Sequence, residues 1–158
     1  MRQSFIISIS FGILLLLLSP FESQAQRNRN SLTIFGPPAI NLNPVFSLSS
    51  QMVASDSDDS SILSWGKTRS KSKVTVQTFS PGQRYSLFVE ARNATNGKSR
   101  GRIELRDGMK STDFITKIKK KKQGSAVLYY LAEAHIDQGS TVTDPTDHHT
   151  VTFTLTDQ

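Results

Sequence analysis

Cysteine is absent from the 158-residue chain. That excludes disulfides, thiolate metal sites, thiol nucleophiles, redox switching and lipid attachment at cysteine. Catalytic signatures are missing as well. There is no G-x-S-x-G elbow, no H-E-x-x-H and no phosphate-cradling G-x-x-x-x-G-K. Three histidines, His135, His148 and His149, are all the imidazole the chain has. After residue 18 no apolar run approaches the ~20 residues of a spanning helix. Basic residues stop altogether at Lys122. These gaps argue against an enzyme and imply no cofactor. What remains is a chain rich in Ser, Thr and Val, with lysines gathered in its middle.

The chain opens MRQSFIISISFGILLLLLSPFESQAQ. Arg2 supplies a positive start, and Phe5 to Leu18 is apolar apart from Ser8, Ser10 and Gly12. Pro20 breaks the segment, and Ser23-Gln24-Ala25 offers small residues to a signal peptidase. We expect a secretory leader over residues 1–25, cut after Ala25. An uncleaved anchor is the alternative, but its apolar stretch is short for that role. A secreted, periplasmic or cell-surface location follows. Export without disulfides points to a bacterial host. Residues 26–158 then form a single domain large enough to bury a core, and for 26–30 the sequence leaves both an ordered and a disordered start open.

The periodicity of that domain is two. KVTVQTF (73–79) places Val74, Val76 and Thr78 on one face, and RYSLFVEAR (84–92) aligns Tyr85, Leu87, Val89 and Ala91. GRIEL (101–105) pairs Ile103 with Leu105 and puts Arg102 and Glu104 outside. AVLYYLAEAHI (126–136) aligns Ala126, Leu128, Tyr130, Ala132, Ala134 and Ile136. TVTFTLT (150–156) sets Val151, Phe153 and Leu155 against a row of threonines. Earlier candidates are SLTIF (31–35), AINL (39–42) and SILSW (61–65). Ser80-Pro81-Gly82-Gln83 fits a turn with Gly at the position needing positive φ. Asn96-Gly97 reads as a hairpin signal, and Asp107-Gly108 and Gln138-Gly139 mark further turns. The expected fold is all-β, an antiparallel β-sandwich of seven or eight strands with minimal helix. A closed barrel competes with it. The one helical candidate is STDFITKI (111–118), where Phe114 and Ile118 would share a face; a strand or an irregular crossover competes there.

HTVTFTLTD (149–157), SLTIFGPPAINLNP (31–44) and the long VLYYLAEAHI strand resemble small exported bacterial β-sandwich proteins. In layout the chain is similar to spore-coat-U-type and fimbrial-subunit domains. The resemblance implies a surface or appendage role, with like subunits or other surface proteins as partners. It transfers no functional residue.

Several smaller patterns invite chemistry. Asp147, His148 and His149 suggest a metal site, but adjacent strand residues point to opposite faces, so a polar loop tip is favoured. SDSDDSS (55–61) fails as an EF-hand, with Ser61 where Gly is needed and Lys67 where the bidentate Glu belongs. An acidic loop between strands is expected instead. Asn93-Ala94-Thr95 matches a glycosylation acceptor. Trp65, Tyr85, Tyr129 and Tyr130 offer aromatic faces for a sugar, though core and cross-strand packing is favoured.

Charge is the feature most open to a functional reading. The formal net charge is +6, unevenly spread. Residues 67–122 hold sixteen basic and four acidic side chains, while 123–158 hold five acidic and no basic ones. Two clusters stand out. GKTRSKSKV (66–74), if extended, lines Lys67, Arg69, Lys71 and Lys73 on one face. Lys117 and Lys119, Lys120, Lys121 and Lys122 form the second. Behind an export leader, nuclear targeting and intracellular nucleic-acid work are poor explanations. Three remain: lysines that keep sheet edges from pairing with other chains, a contact for acidic polysaccharide or lipopolysaccharide, and a contact between like subunits. The expected function is a non-enzymatic surface, matrix or appendage protein, with a polyanion- or glycan-binding module as the alternative.

Overall fold

The computed structural model describes residues 3–10, 30–40, 42, 52–66, 68, 70–120, 122–136 and 148–158. Within them the alternation of the sequence becomes ten strands and no helix. In chain order they are β1 (Gln3–Ser10), β2 (Ser31–Phe35), β3 (Met52–Gly66), β4 (Ser72–Phe79) and β5 (Ser86–Arg92). Then come β6 (Lys98–Ser99), β7 (Ile103–Leu105), β8 (Thr112–Ile118), β9 (Gly124–Ile136) and β10 (His148–Asp157). One sheet has the order β1-β10-β4-β8-β6 and the other β2-β3-β9-β5-β7. Every pairing is antiparallel.

The two sheets share one apolar interior, as a β-sandwich requires. Val74, Val76, Phe114, Val151 and Phe153 of the first sheet are fully buried with Leu63, Val89, Leu128 and Tyr130 of the second. Phe114 and Phe153 meet at a centroid distance of 5.4 Å. Period-two burial holds in β5, where Leu87, Val89 and Ala91 are inside, and in β10, where Val151, Phe153 and Leu155 are inside. The Ser80–Gln83 turn forms as its residues require: Gly82 has φ 80°, and the Gln83 N–H donates to the Ser80 carbonyl at 3.2 Å.

Several expectations need correction. STDFITKI is strand β8, not a helix. Its buried residues, Phe114, Ile115 and Ile118, mimic helical spacing because the β4–β8 register shifts twice and Lys117 takes φ 59°. These irregularities break the alternation, so two neighbours and a residue three further on all face inward. SDSDDSS is no loop: it lies within the fifteen-residue β3, with a register shift between Asp58 and Ser61. AINL is not a strand, though Ile40 and Leu42 are buried against the core. Asn96-Gly97 is no hairpin either, since it carries the chain from β5 in one sheet to β6 in the other. The Gln138-Gly139 turn lies outside the described residues. Residues 3–10, read as part of a leader, lie along β10 with Phe5 opposite Phe153 and Ile7 opposite Val151.

Candidate functional site

The antiparallel registers bring the ends of β3, β5, β8 and β10 and the starts of β2, β4 and β9 to one end of the sandwich. Both basic clusters lie there, in loops and in the strand ends beside them, Lys73 in β4 and Lys117 in β8. The first leaves β3 at Gly66 and enters β4 at Ser72. Thr68, Ser72 and Val74 are buried, Lys71 is exposed and Lys73 half-buried. Ser70 is half-buried, the chain bends at Ser70 and Lys71, and the strand begins at Ser72. Lys67 and Arg69 lie outside the described residues, as does Lys121. In the second cluster, Lys117, Lys119, Lys120 and Lys122 are all exposed.

Neutral groups hold the clusters together. The buried Thr68 hydroxyl donates to the Lys119 carbonyl at 3.2 Å. Thus the middle of one cluster is tied to the middle of the other. Asn96 clamps the lysine turn from the far sheet: its Oδ1 accepts the Lys119 N–H and its Nδ2 donates to the Lys122 carbonyl, both at 3.2 Å. Asn96 holds φ 48°, a left-handed conformation that asparagine tolerates better than most residues. Beneath it the buried Trp65 indole donates to the Asn96 carbonyl at 3.3 Å. The indole packs so closely on Gly124 that a β-carbon there would sit 2.6 Å from Nε1. Thr95 completes the brace, donating its N–H to the Ser125 carbonyl at 2.9 Å.

The electrostatics of this end follow from what pairs with what. Lys73 reaches Asp113 of β8 at 2.6 Å, which neutralises it. Among the described residues, Lys71, Lys117, Lys119, Lys120 and Lys122 form no ion pair. Asp157, also at this end, accepts from Ser72 Oγ at 3.0 Å and from Asn30 Nδ2 at 3.1 Å.

The opposite end is organised differently. There Gly82, Gln83, Arg84, Tyr85, Glu104, Arg106, Asp107 and Glu133 line a shallow open cleft. Arg106 pairs with Glu104. Asp107 caps the Ser80 N–H at 2.7 Å. Behind the cleft, Tyr85 stacks on His149 with ring centroids 5.0 Å apart. His149 is therefore no loop tip: it is fully buried in β10, and neither ring nitrogen has a hydrogen-bond partner among the described residues. Burial pushes its pKa down to about 4, against a weaker upward pull from Asp107. A neutral imidazole enclosed in this way serves as packing. The metal reading of Asp147, His148 and His149 fails at His149; Asp147 lies outside the described residues. No cluster of metal-ligating side chains occurs among the described residues.

Trp65, Tyr85, Tyr129 and Tyr130 are core and cross-strand packing. Trp65, Tyr85 and Tyr130 are buried. Tyr129 is half-buried with the Arg92 guanidinium 3.4 Å above its ring centre. Desolvation, and the charge of Asp58 opposite it across β3 and β9, push the Tyr130 phenol well above its ordinary range. The chain matches no family model, no curated protein and no solved structure.

Proposed function

We propose that this chain is a non-enzymatic exported protein of a surface, matrix or appendage. Its working surface, in this reading, is the basic end, a contact for a polyanion such as an acidic polysaccharide or the phosphates of lipopolysaccharide. One observation carries the proposal: Thr68 ties the first lysine cluster to the second at Lys119, in a turn that Asn96 holds, and among the described residues Lys71, Lys117, Lys119, Lys120 and Lys122 have no carboxylate partner, while Lys73 pairs with Asp113. Like charges held side by side repel one another. Fixing them costs free energy that a polyanion recovers by displacing small ions.

Guarding a sheet edge explains only part of the charge. Lys98 and Lys117 belong to β6 and β8, at the edge of their sheet, and suit that role. Lys119, Lys120 and Lys122 lie beyond the end of β8, in a turn that offers no strand to protect. A contact between like subunits, basic region against acidic segment, has less support. The two described carboxylates of residues 123–158 sit at opposite ends, Glu133 by the cleft and Asp157 within the basic end.

The test is heparin and lipopolysaccharide binding at low and moderate salt. Affinity should fall steeply with salt. Replacing Lys119, Lys120, Lys121 and Lys122 by Ser should weaken binding about a hundredfold at low salt and flatten the salt dependence. Unchanged binding by that variant removes the proposal.

A further inference from the structure

Among the described residues, three of the four sheet edges are short. β2 has five residues, β7 three and β6 two. Short, irregular or lysine-bearing edges resist pairing with other chains. The fourth edge is unlike them. There β1 covers β10 through eight consecutive pairs, from Gln3 opposite Leu155 to Ser10 opposite His148, with no register shift. β10 is ten residues long and pairs as regularly with β4 on its other side. It contains no Lys, Arg, Pro or Gly, and nothing along it discourages a new strand. Yet its present cover is the segment whose sequence reads as a cleavable leader.

We infer that removal of residues 1–25 opens β10 as a pairing edge, and that a second copy of β10 takes the place of β1. The inference rests on the export reading of the leader. The occupant follows from the strand's own pattern. Antiparallel self-pairing centred on Phe153 sets Thr150 opposite Thr156, Val151 opposite Leu155 and Thr152 opposite Thr154. Every apolar position then meets an apolar position and every threonine a threonine, which is the pairing that stabilises sheets. The same centre, Phe153, faces Phe5 in the present register. A two-fold axis through that point closes the contact after two copies, so a dimer forms and a filament does not. The antiparallel pairing then leaves the two basic ends at opposite ends of one continuous sheet, so the dimer carries two separate polyanion contacts.

The experiment uses the full chain, expressed in an exporting host. Intact mass of the exported product shows whether the leader is gone. Light scattering across a wide dilution range and native mass spectrometry give the assembly state. A cleaved, dimeric product is expected. Thr152 and Thr154 lie on the outward face of β10 and are partly exposed. T152K/T154K places like charges opposite each other twice, and should weaken the dimer about tenfold or more. T152E/T154E should do the same alone. Mixing the two variants should restore a dimer, which a merely misfolded protein would not do. A cleaved but monomeric product overturns the edge pairing while leaving the leader reading intact. So does a dimer indifferent to both variants, or a filament. A leader peptide retained without a covalent bond also overturns it. An uncleaved product overturns the leader reading and this inference together.

Discussion

The two ends of the sandwich handle positive charge in opposite ways. At the cleft end, Arg84 and Arg106 sit among Glu104, Asp107 and Glu133, and Arg106 has a carboxylate in contact. At the other end, a threonine joins two lysine-bearing stretches, an asparagine holds the lysine turn, and among the described lysines there Lys73 alone has a carboxylate in contact. The first arrangement is what any soluble surface tends toward, with mixed signs and short-range compensation. The second retains repulsion. Net charge is thus a poor guide to a binding surface. The spatial sorting of charge carries the information, and here neutral hydrogen bonds do the sorting.

The sharpest way to break the comparison is to remove its support. Trp65→Ala takes away the buried indole that carries the Asn96 carbonyl and packs on Gly124. It should cost about 3–5 kcal/mol in denaturant unfolding. It should also loosen amide exchange at residues 95–97 and 119–122 more than at the cleft end. An even loss of protection would mean that the basic end is not separately braced.

The next effect belongs to the cleft end and depends on pH. His149 has an unfolded pKa of about 6.5 and a folded one of about 4. Between those values the unfolded chain binds the extra proton, so stability rises with pH there. The contribution is complete above about pH 6.5 and is lost as acid approaches pH 4. Thermal melts from pH 7 down to pH 4 should show this loss, and a His149→Phe variant should lack most of it. An equal slope in that variant would place the acid sensitivity elsewhere.

The smallest effect is at Lys73, the one paired lysine of the basic end among the described residues. The Lys73–Asp113 bridge is partly exposed on both sides. Asp113→Asn should cost no more than about 1 kcal/mol by chemical denaturation. By releasing Lys73 it should strengthen heparin binding slightly at low salt. Weaker binding would show that Asp113 supports the surface instead of diluting it.

Much of the framework was legible because it repeats. Leu87, Val89 and Ala91, or Val151, Phe153 and Leu155, declare their buried face by alternation alone. The same rule reaches His149, which shares parity with Val151, yet its polarity and its neighbour His148 drew it toward a loop. β8 misled because bulges and Lys117's left-handed backbone shift the phase, and a shifted strand imitates helical spacing. SDSDDSS misled through composition: its serines and aspartates are turn formers, but pairing with β9 overrides that preference.

The site was half legible. Both lysine clusters were visible as runs, but their union was not. It depends on Thr68 reaching across 51 residues of chain to Lys119, in a turn that Asn96, 23 residues away, holds in place. Neither residue stands out in the sequence. Asn96-Gly97 did mark an unusual backbone, and the structure uses it to pass between sheets and clamp a turn.

The most direct test of the account is to locate the contact. Amide chemical shifts of the labelled protein, titrated with a heparin tetrasaccharide, would map it residue by residue. We predict that the largest changes fall at Thr68, Lys71, Asn96, Lys119 and Lys122, and that they shrink with added salt. Changes centred on Arg84 and Arg106, or spread evenly over both ends, would contradict the assignment of the basic end as the working surface.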